Sequence, residues 1–236
     1  MHTEDWKYQN HALFPNTFPH EEANTTLIQN GDIWKQSWPG VPLMARWTSN
    51  FDCGYETNWW FCICDEVFRI DKLKAKRRYE INKGIRFFEV REINPVEYLE
   101  ELYSVVNEAS LGYPQKYRSV PTKEQFFKSM RSIAQRSNIQ KIYGAFFRET
   151  GKLVAFAHVP TYASWAALSA LKSDPSYEKY GVNAALIHFI LTENEDKLSG
   201  GGTTSATVSG TSTMRHIFRN TSKSISSSEK HIAEST

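Results

Sequence analysis

The feature that most constrains the fold is a change from helical to β-type patterning near residue 140. Gln140–Arg148 and Lys152–Pro160 are apolar runs rich in β-forming residues, whereas apolar residues before them recur at helical spacing. Glu149-Thr150-Gly151 separates the two runs and predicts the turn of a β-hairpin. The sequence therefore predicts an α/β domain in which two helices precede an antiparallel hairpin.

The two helices before the hairpin carry clear N-terminal signals. Asn94 and Pro95 supply an N-cap and a proline at the first position, and Glu97 adds an acidic residue in the first turn; Gly112 ends this helix. Thr122-Lys-Glu-Gln125 has the form of a capping box and opens the second helix. The predicted buried stripes are Tyr98, Leu102, Val105 and Ala109 in the first helix, and Phe126, Met130 and Ile133 in the second.

The segment after the hairpin predicts one more strand and a third helix. Thr161–Leu171 continues as a strand or an extended segment until Ser173-Asp174-Pro175 breaks it. A helix is then expected across Val182–Asn194. Its predicted core-facing residues are Val182, Leu186, Phe189 and Ile190.

A strongly basic stretch, Asp71–Gly84, lies before the first of these helices. Lys72–Lys83 are mostly good helix formers, Asp71 is the predicted N-cap, and Gly84 is the predicted left-handed C-terminal cap. Residues 1–68 carry three Lys/Arg against nine Asp/Glu, whereas residues 69–91 carry nine against three. This asymmetry predicts either an anionic ligand or the acidic part of the same chain against the helix; a solvated linking helix is the alternative.

The N-terminal part is rich in tryptophan. Residues 1–60 hold six of the seven tryptophans and four prolines, with little helical periodicity. We expect loops and short strands packed by aromatic side chains, followed by a buried strand across Asn58–Arg69. A stacking surface for sugars or peptides is the alternative interpretation.

Composition excludes several classes of protein. The length of 236 residues allows one large domain or two small ones, and no apolar run approaches the roughly 20 residues of a membrane span. The N-terminus lacks the apolar segment of a signal peptide. Three cysteines, Cys53, Cys62 and Cys64, then indicate reduced thiols in a cytoplasmic protein; their spacing matches no common zinc motif, and we expect no metal.

Three stretches together resemble GNAT-type acyltransferases, most closely those of the Fem type that transfer peptidyl or aminoacyl groups. Leu73–Gly84 resembles the link between two GNAT-like subdomains, Glu97–Ala109 the helix that follows it, and Lys141–Asn194 the sheet and ligand-side helix of the second subdomain. The resemblance implies a mixed, mainly antiparallel sheet flanked by helices. It divides the chain into an aromatic-rich N-terminal subdomain (1–70), a basic linking helix (71–84), a GNAT-like domain (85–202) and a Ser/Thr-rich tail (203–236).

The resemblance also implies a function, namely transfer of an acyl or aminoacyl group to an amine acceptor, with a role in cell-envelope or surface-polysaccharide synthesis. The donor would be acyl-CoA or aminoacyl-tRNA, and no tightly bound cofactor is implied. In this fold a helix N-terminus receives the donor's pyrophosphate. The usual acetyl-CoA signature is absent before the third helix. The residues placed there to bind the donor are Lys179, Tyr180, Gly181 and Asn183, and the basic segment adds Lys76, Arg77 and Lys83 for a nucleotide or tRNA phosphate.

The resemblance does not identify the catalytic residues, so we choose candidates by their side-chain chemistry and their predicted position. His158 is the histidine on the predicted hairpin, where a general base would deprotonate an amine. Tyr162 and Tyr177 are candidate proton donors for the leaving group. His188 falls in the middle of the third helix and is expected to be structural.

The tail from Thr203 onward changes composition abruptly. Nearly half of residues 203–236 are Ser or Thr, and Phe218 is the single aromatic. Such a segment predicts disorder. The adjacent reading frame of a back-translated tail gives instead an aromatic-rich segment like the family's ending, so a frameshift is the second hypothesis. It would leave the sheet with an open edge and an incomplete acceptor site, and the enzyme inactive as written.

Two further functions stay open. A non-catalytic module would bind glycan or peptide through the N-terminal aromatic residues. A nucleic-acid binder would use the basic residues of 71–91, but these fit no DNA-binding motif, and no specific DNA binding is expected.

Overall fold

The computed structural model describes residues 5–9, 11–18, 21–49, 59–64, 67–115, 118, 120–204 and 230–231, with the backbone alone for 59–64, 198–204 and 230–231. Its α-helices are α1 (Thr26–Gln29), α2 (Ala75–Phe87), α3 (Leu99–Leu111), α4 (Lys123–Ala134) and α5 (Val182–Glu193). Its strands are β1 (Trp6–Gln9), β2 (Ala12–Pro15), β3 (Met44–Arg46), β4 (Trp59–Cys64), β5 (Phe88–Glu92), β6 (Gln140–Phe147), β7 (Leu153–Pro160), β8 (Trp165–Ala167), β9 (Ala170–Ser173), β10 (Leu198–Thr204) and β11 (Lys230–His231).

The chain divides into two compact units, one built largely from residues before 62 and the other from residues 62–201. In the first unit, β1 and β2 form an antiparallel hairpin, β3 pairs with β2 in parallel, and β11 pairs with β3. The core of this unit contains Trp6, Leu13, Ile33, Ala45 and Trp47. Trp38 packs on this core and donates its indole N–H to the Ile33 carbonyl at 2.9 Å. These tryptophans are therefore core residues, and this confirms the expected aromatic packing.

The second unit is built on an antiparallel sheet with the order β5-β6-β7-β9. α3 and α4 cover one face with Leu102, Val105, Phe126, Met130 and Ile133, packed on Ile142 and Phe156 of the sheet. α5 covers the other face with Val182, Ala185, Leu186 and Ile190, packed on Phe88, Ala157 and Val159. The predicted core residues of the three helices are confirmed as buried, except that Tyr98, in the 3-10 turn before α3, and Phe189 are only partly buried.

Local signals fixed the elements on either side of the hairpin. Asn94 accepts a hydrogen bond from the Val96 N–H at 3.2 Å. The 3-10 turn that follows leads into α3, which ends at Leu111 with Gly112 as its C-terminal cap. The capping box of Thr122 and Gln125 is formed at the start of α4. Gly151 takes a positive φ of 69° in the turn between β6 and β7.

The predicted boundaries of the basic helix were wrong at both ends. Asp71 lies in a separate 3-10 turn, and its carboxylate is bound by Arg69 at 3.2 Å, so it does not cap the helix. α2 begins instead after Lys74 and continues through Gly84 to Phe87. Gly84 is an interior helix residue, and the reason for glycine at this position is a contact with α5 that is described below.

Among the described residues, no helix is long and apolar enough to cross a membrane, and no cluster of His, Cys, Asp and Glu is arranged to hold a metal. The side chains of Cys53, Cys62 and Cys64 lie outside that description, as does residue 205 to residue 229 of the tail.

Candidate active site

The sheet is split where its last strand begins. β8 pairs in parallel with β10, with Trp165 opposite Leu198 and Ala167 opposite Gly200. Two residues later the same stretch becomes β9, which pairs with β7. Among the described strands, the outer edge of β9 has no partner, because β10 stays with β8. About half of the backbone N–H and C=O groups of an edge strand point away from its neighbour, and they are available to an extended ligand.

His158 lies beside this split. In the strand register it is opposite Ile142 of β6 and opposite Ala170, the first residue of β9. Its backbone carbonyl accepts a hydrogen bond from the Ser169 N–H at 3.0 Å, in the link between β8 and β9. Strand alternation puts its side chain on the α3/α4 face, because Phe156, two residues before it, packs there.

The hydrogen bond between His158 and Gln140 bears on which ring nitrogen carries the proton. Nε2 lies 2.6 Å from Oε1 of Gln140. Because an amide oxygen can only accept, Nε2 carries the proton, and Nδ1 holds a lone pair in the neutral ring. Burial lowers the pKa of His158, and the positive charge of Arg136 lowers it further. The ring is therefore neutral at physiological pH, with one nitrogen able to accept a proton.

The two candidate proton donors lie in different surroundings. Tyr162 follows β7, is 41% exposed, and donates its backbone N–H to the Trp165 carbonyl at 2.7 Å. Tyr177 packs against Phe88 and Phe147 on the α5 face of the sheet, with ring centroids 6.4 and 5.1 Å apart. The structure therefore places Tyr162 in the segment leading to the split and Tyr177 in the aromatic part of the core.

The predicted donor-binding residues at the start of α5 are partly covered. Lys179 is exposed, with its ammonium 5.0 Å from the centre of the Tyr180 ring. Gly181 has a positive φ of 84° and begins α5. Asn183 is only 8% exposed, and its Oδ1 atom is buried without a hydrogen-bond partner among the described residues.

The basic residues of α2 differ in whether they form ion pairs or hydrogen bonds within the protein. Lys76 is exposed and Lys83 is half-buried. Arg77 is 15% exposed and forms an ion pair with Glu80 one turn later. Arg78, which the sequence did not single out, donates to the backbone carbonyls of Leu73 at 2.7 Å and Asp71 at 3.1 Å. The two arginines thus have protein acceptors.

Sequence reasoning missed Gln140 and the role of Gly84. Gln140 starts β6, and only the strand register places it near His158. Gly84 contacts α5, where Gly181, Ala184 and Ala185 are also small. A close helix crossing could have been predicted from the small residues in the first turn of one helix together with a glycine inside another.

The order β5–α3–α4–β6–β7–β9–α5–β10, with its antiparallel sheet and split edge, defines the class: the chain has a GNAT-like fold. The C-terminal domain of a protein from Agrobacterium fabrum named as a lysylphosphatidylglycerol synthetase has a similar structure, with a TM-score of 0.53 and 14% identity. The match covers 83% of this chain and 65% of that one. At this identity the likeness establishes the fold alone.

Smaller parts of the chain match acetyltransferases. The PaiA N-acetyltransferase of Thermoplasma acidophilum, solved with coenzyme A, is 23% identical with a TM-score of 0.37, over 45% of this chain and 73% of that one. The ribosomal-protein alanine N-acetyltransferase of Escherichia coli is 14% identical with a TM-score of 0.42, over 54% and 74%. No family model matches the chain, and no curated protein matches it significantly.

Proposed function

We propose that this protein transfers an acyl group to an amine, with the reaction taking place at the free edge of β9. The observation that carries the proposal is the position of His158, a neutral and half-buried histidine opposite the first residue of β9. Backbone N–H groups at that edge would hold the carbonyl of the donor and stabilise the oxyanion that forms there. A GNAT-like fold supports this chemistry, although fold alone does not fix function.

The reaction balances with two side chains. The acceptor nitrogen attacks the carbonyl carbon of the donor, and Nδ1 of His158 takes the proton that the nitrogen loses. The bond from that carbon to the leaving sulfur or oxygen then breaks. Tyr162 protonates the leaving atom and regains a proton from solvent, and His158 releases to solvent the proton that it took.

We further propose that the donor is acyl-CoA or aminoacyl-tRNA, and that the acceptor is an amine of a cell-envelope or surface-polysaccharide precursor, as in Fem-type enzymes. Coenzyme A is bound by the PaiA acetyltransferase, which shares part of this fold. The exposed Lys76 and the half-buried Lys83 are available to a phosphate of tRNA.

The experiment is an assay for thiol release from acetyl-CoA and from S-acetyl-pantetheine, with a panel of amino sugars and amino acids, and mass spectrometry of the products. Amine-dependent release with an acetylated product supports the proposal. If neither thioester yields product, charged tRNA is supplied as the donor. Failure with all three donors by a protein with a cooperative unfolding transition would refute it.

A further inference from the structure

The N-terminus of α5 is the place where a helix of this fold would bind a phosphate. The first N–H groups of a helix have no intrahelical acceptor, and the helix dipole adds positive potential there. α5 is 12 residues long, and Gly181, with its positive φ, brings the chain sharply into it. In this protein, however, that end is not open to solvent.

The backbone of α2 packs closely against the first turn of α5 and its N-cap, Gly181. A Cβ atom added to Gly84 would be 2.4 Å from the Gly181 carbonyl oxygen and 3.2 Å from the backbone nitrogen of Ala185. A Cβ atom on Gly181 would be 2.8 Å from the Glu80 carbonyl oxygen. These two glycines therefore bring the two backbones closer than any side chain would permit, and the gap is too small for a phosphate group.

Apolar side chains close the surroundings of the crossing. Leu73 and Ile81 are fully buried in a cluster with Ala184 of the first turn of α5. Val182 is 0% exposed and Ala184 is 4% exposed. On the other side of the crossing, the rings of Phe87 and Tyr180 lie 4.9 Å apart. A dianionic group would need water or cations at this point, but the structure places hydrocarbon there.

The charge arrangement agrees with this geometry. Arg77, close to the crossing on α2, is bound by Glu80, and Arg78 is bound by backbone carbonyls at the start of the helix. The carbonyl of Glu80 also approaches Gly181, the N-cap of α5. The protein thus presents its own partial negative charge to the end where a ligand phosphate would lie.

We infer that α2 takes the place of the donor's pyrophosphate at α5, so that the enzyme recognises its donor through the acyl arm and not through a nucleotide diphosphate at this helix. This inference rests on the proposed transfer function for its meaning, since it specifies the donor. It predicts that S-acetyl-pantetheine, which lacks the nucleotide, is as good a donor as acetyl-CoA. The kcat/KM values of the two donors should lie within about threefold of each other, a difference of under about 0.7 kcal/mol.

The decisive test does not require turnover. The amide signals of Gly181, Val182, Asn183 and Ala184 are followed by NMR while adenosine 3′,5′-bisphosphate or coenzyme A is added to millimolar concentration. No saturable shift of these four signals is expected. A saturable shift at them, or a kcat/KM at least tenfold higher for acetyl-CoA than for S-acetyl-pantetheine, would overturn the inference.

The wild-type titration expects no signal change, so two variants of α2 add a measurement in which a change is expected. Gly84→Ala puts a methyl group 2.4 Å from the Gly181 carbonyl oxygen, so the two backbones must move apart. It is expected to admit the bisphosphate, with shifts at the four amides that the wild type does not show. Tyr79→Ala is the matched control, because Tyr79 is on the same helix and 66% exposed. Should Gly84→Ala not fold, the wild-type titration still decides.

The two proposals fail in different ways. Absence of product with every donor refutes acyl transfer but leaves the amide titration unchanged. Saturable binding at the start of α5 refutes the inference about the donor, even if transfer is active.

Discussion

The free edge of β9 and the N-terminus of α5 are built in opposite ways. At β9 the split from β10 leaves backbone groups with no partner among the described strands, and a neutral histidine lies opposite its first residue. At α5 the backbone of α2 covers the end of the helix, and apolar side chains surround the contact. Under the proposed function, the comparison teaches that the open edge of β9 would hold the acyl group while the closed start of α5 would exclude a nucleotide diphosphate.

The largest expected effect is on catalysis at the open edge. His158→Ala should lower kcat/KM by about 100- to 1,000-fold, because it removes the base that accepts the amine proton. His188→Ala is the control, since His188 is also a half-buried histidine of lowered pKa but packs against Phe68, with ring centroids 5.6 Å apart. If kcat/KM falls equally in the two variants, measured on protein of checked stability, His158 has no special catalytic role relative to His188.

The next effect is on stability at the closed end. Gly84→Ala should destabilise the protein by about 1–3 kcal/mol, because the new methyl group overlaps the Gly181 carbonyl. The sign is informative, since the same change at an open helix position stabilises by about 1 kcal/mol. Urea unfolding measures the difference, and Lys76→Ala on the exposed side of α2 is the neutral comparison. A more stable Gly84→Ala protein would mean that the two helices are not in contact.

A smaller effect is expected from the partner of His158. Gln140→Glu places a carboxylate beside Nε2, which should raise the pKa of His158 and move the acidic limb of the kcat/KM profile to higher pH. Gln140→Leu should leave the ring without its acceptor and lower kcat more than it changes KM. A pH profile identical in wild type and Gln140→Glu would show that His158 is not the titrating base.

The smallest effect is the pH dependence of stability. The pKa of His158 and the pKa of His188 are both lowered in the folded protein, chiefly by burial. The unfolded chain therefore binds more protons as the pH falls through about 6.5, and the free energy of unfolding decreases with it. Urea midpoints between pH 7.5 and 5 should show this decrease, and replacement of both histidines by Gln should flatten it. If the urea midpoint of the double variant depends on pH as strongly as that of the wild type, the pH dependence comes from other groups.

The parts of the fold that local signals determine were predictable from sequence. The asparagine-proline start of α3, the capping box of α4 and the turn at Gly151 each act within a few residues, and each was found where expected. The helical period of α5 likewise identified its buried residues.

The rest depends on contacts between distant residues. Gly84 looked like a helix end because glycine is common there, but the helix continues because α5 needs the space that a side chain would fill. The predicted third strand is divided into β8 and β9 by pairing with two different strands, which residue patterns do not encode. Of the candidate site, His158 was proposed from its strand position, whereas its neighbour Gln140 required the register of β6 on β7.

The measurement that tests the account most directly is an NMR titration with a thioether analogue of acetyl-pantetheine, which cannot transfer its acyl group. The account predicts saturable shifts of the amides of Ala170–Ser173 and of the His158 ring, with the amides of Gly181–Ala184 unchanged. Shifts confined to Gly181–Ala184, or no saturable change along β9, would contradict it.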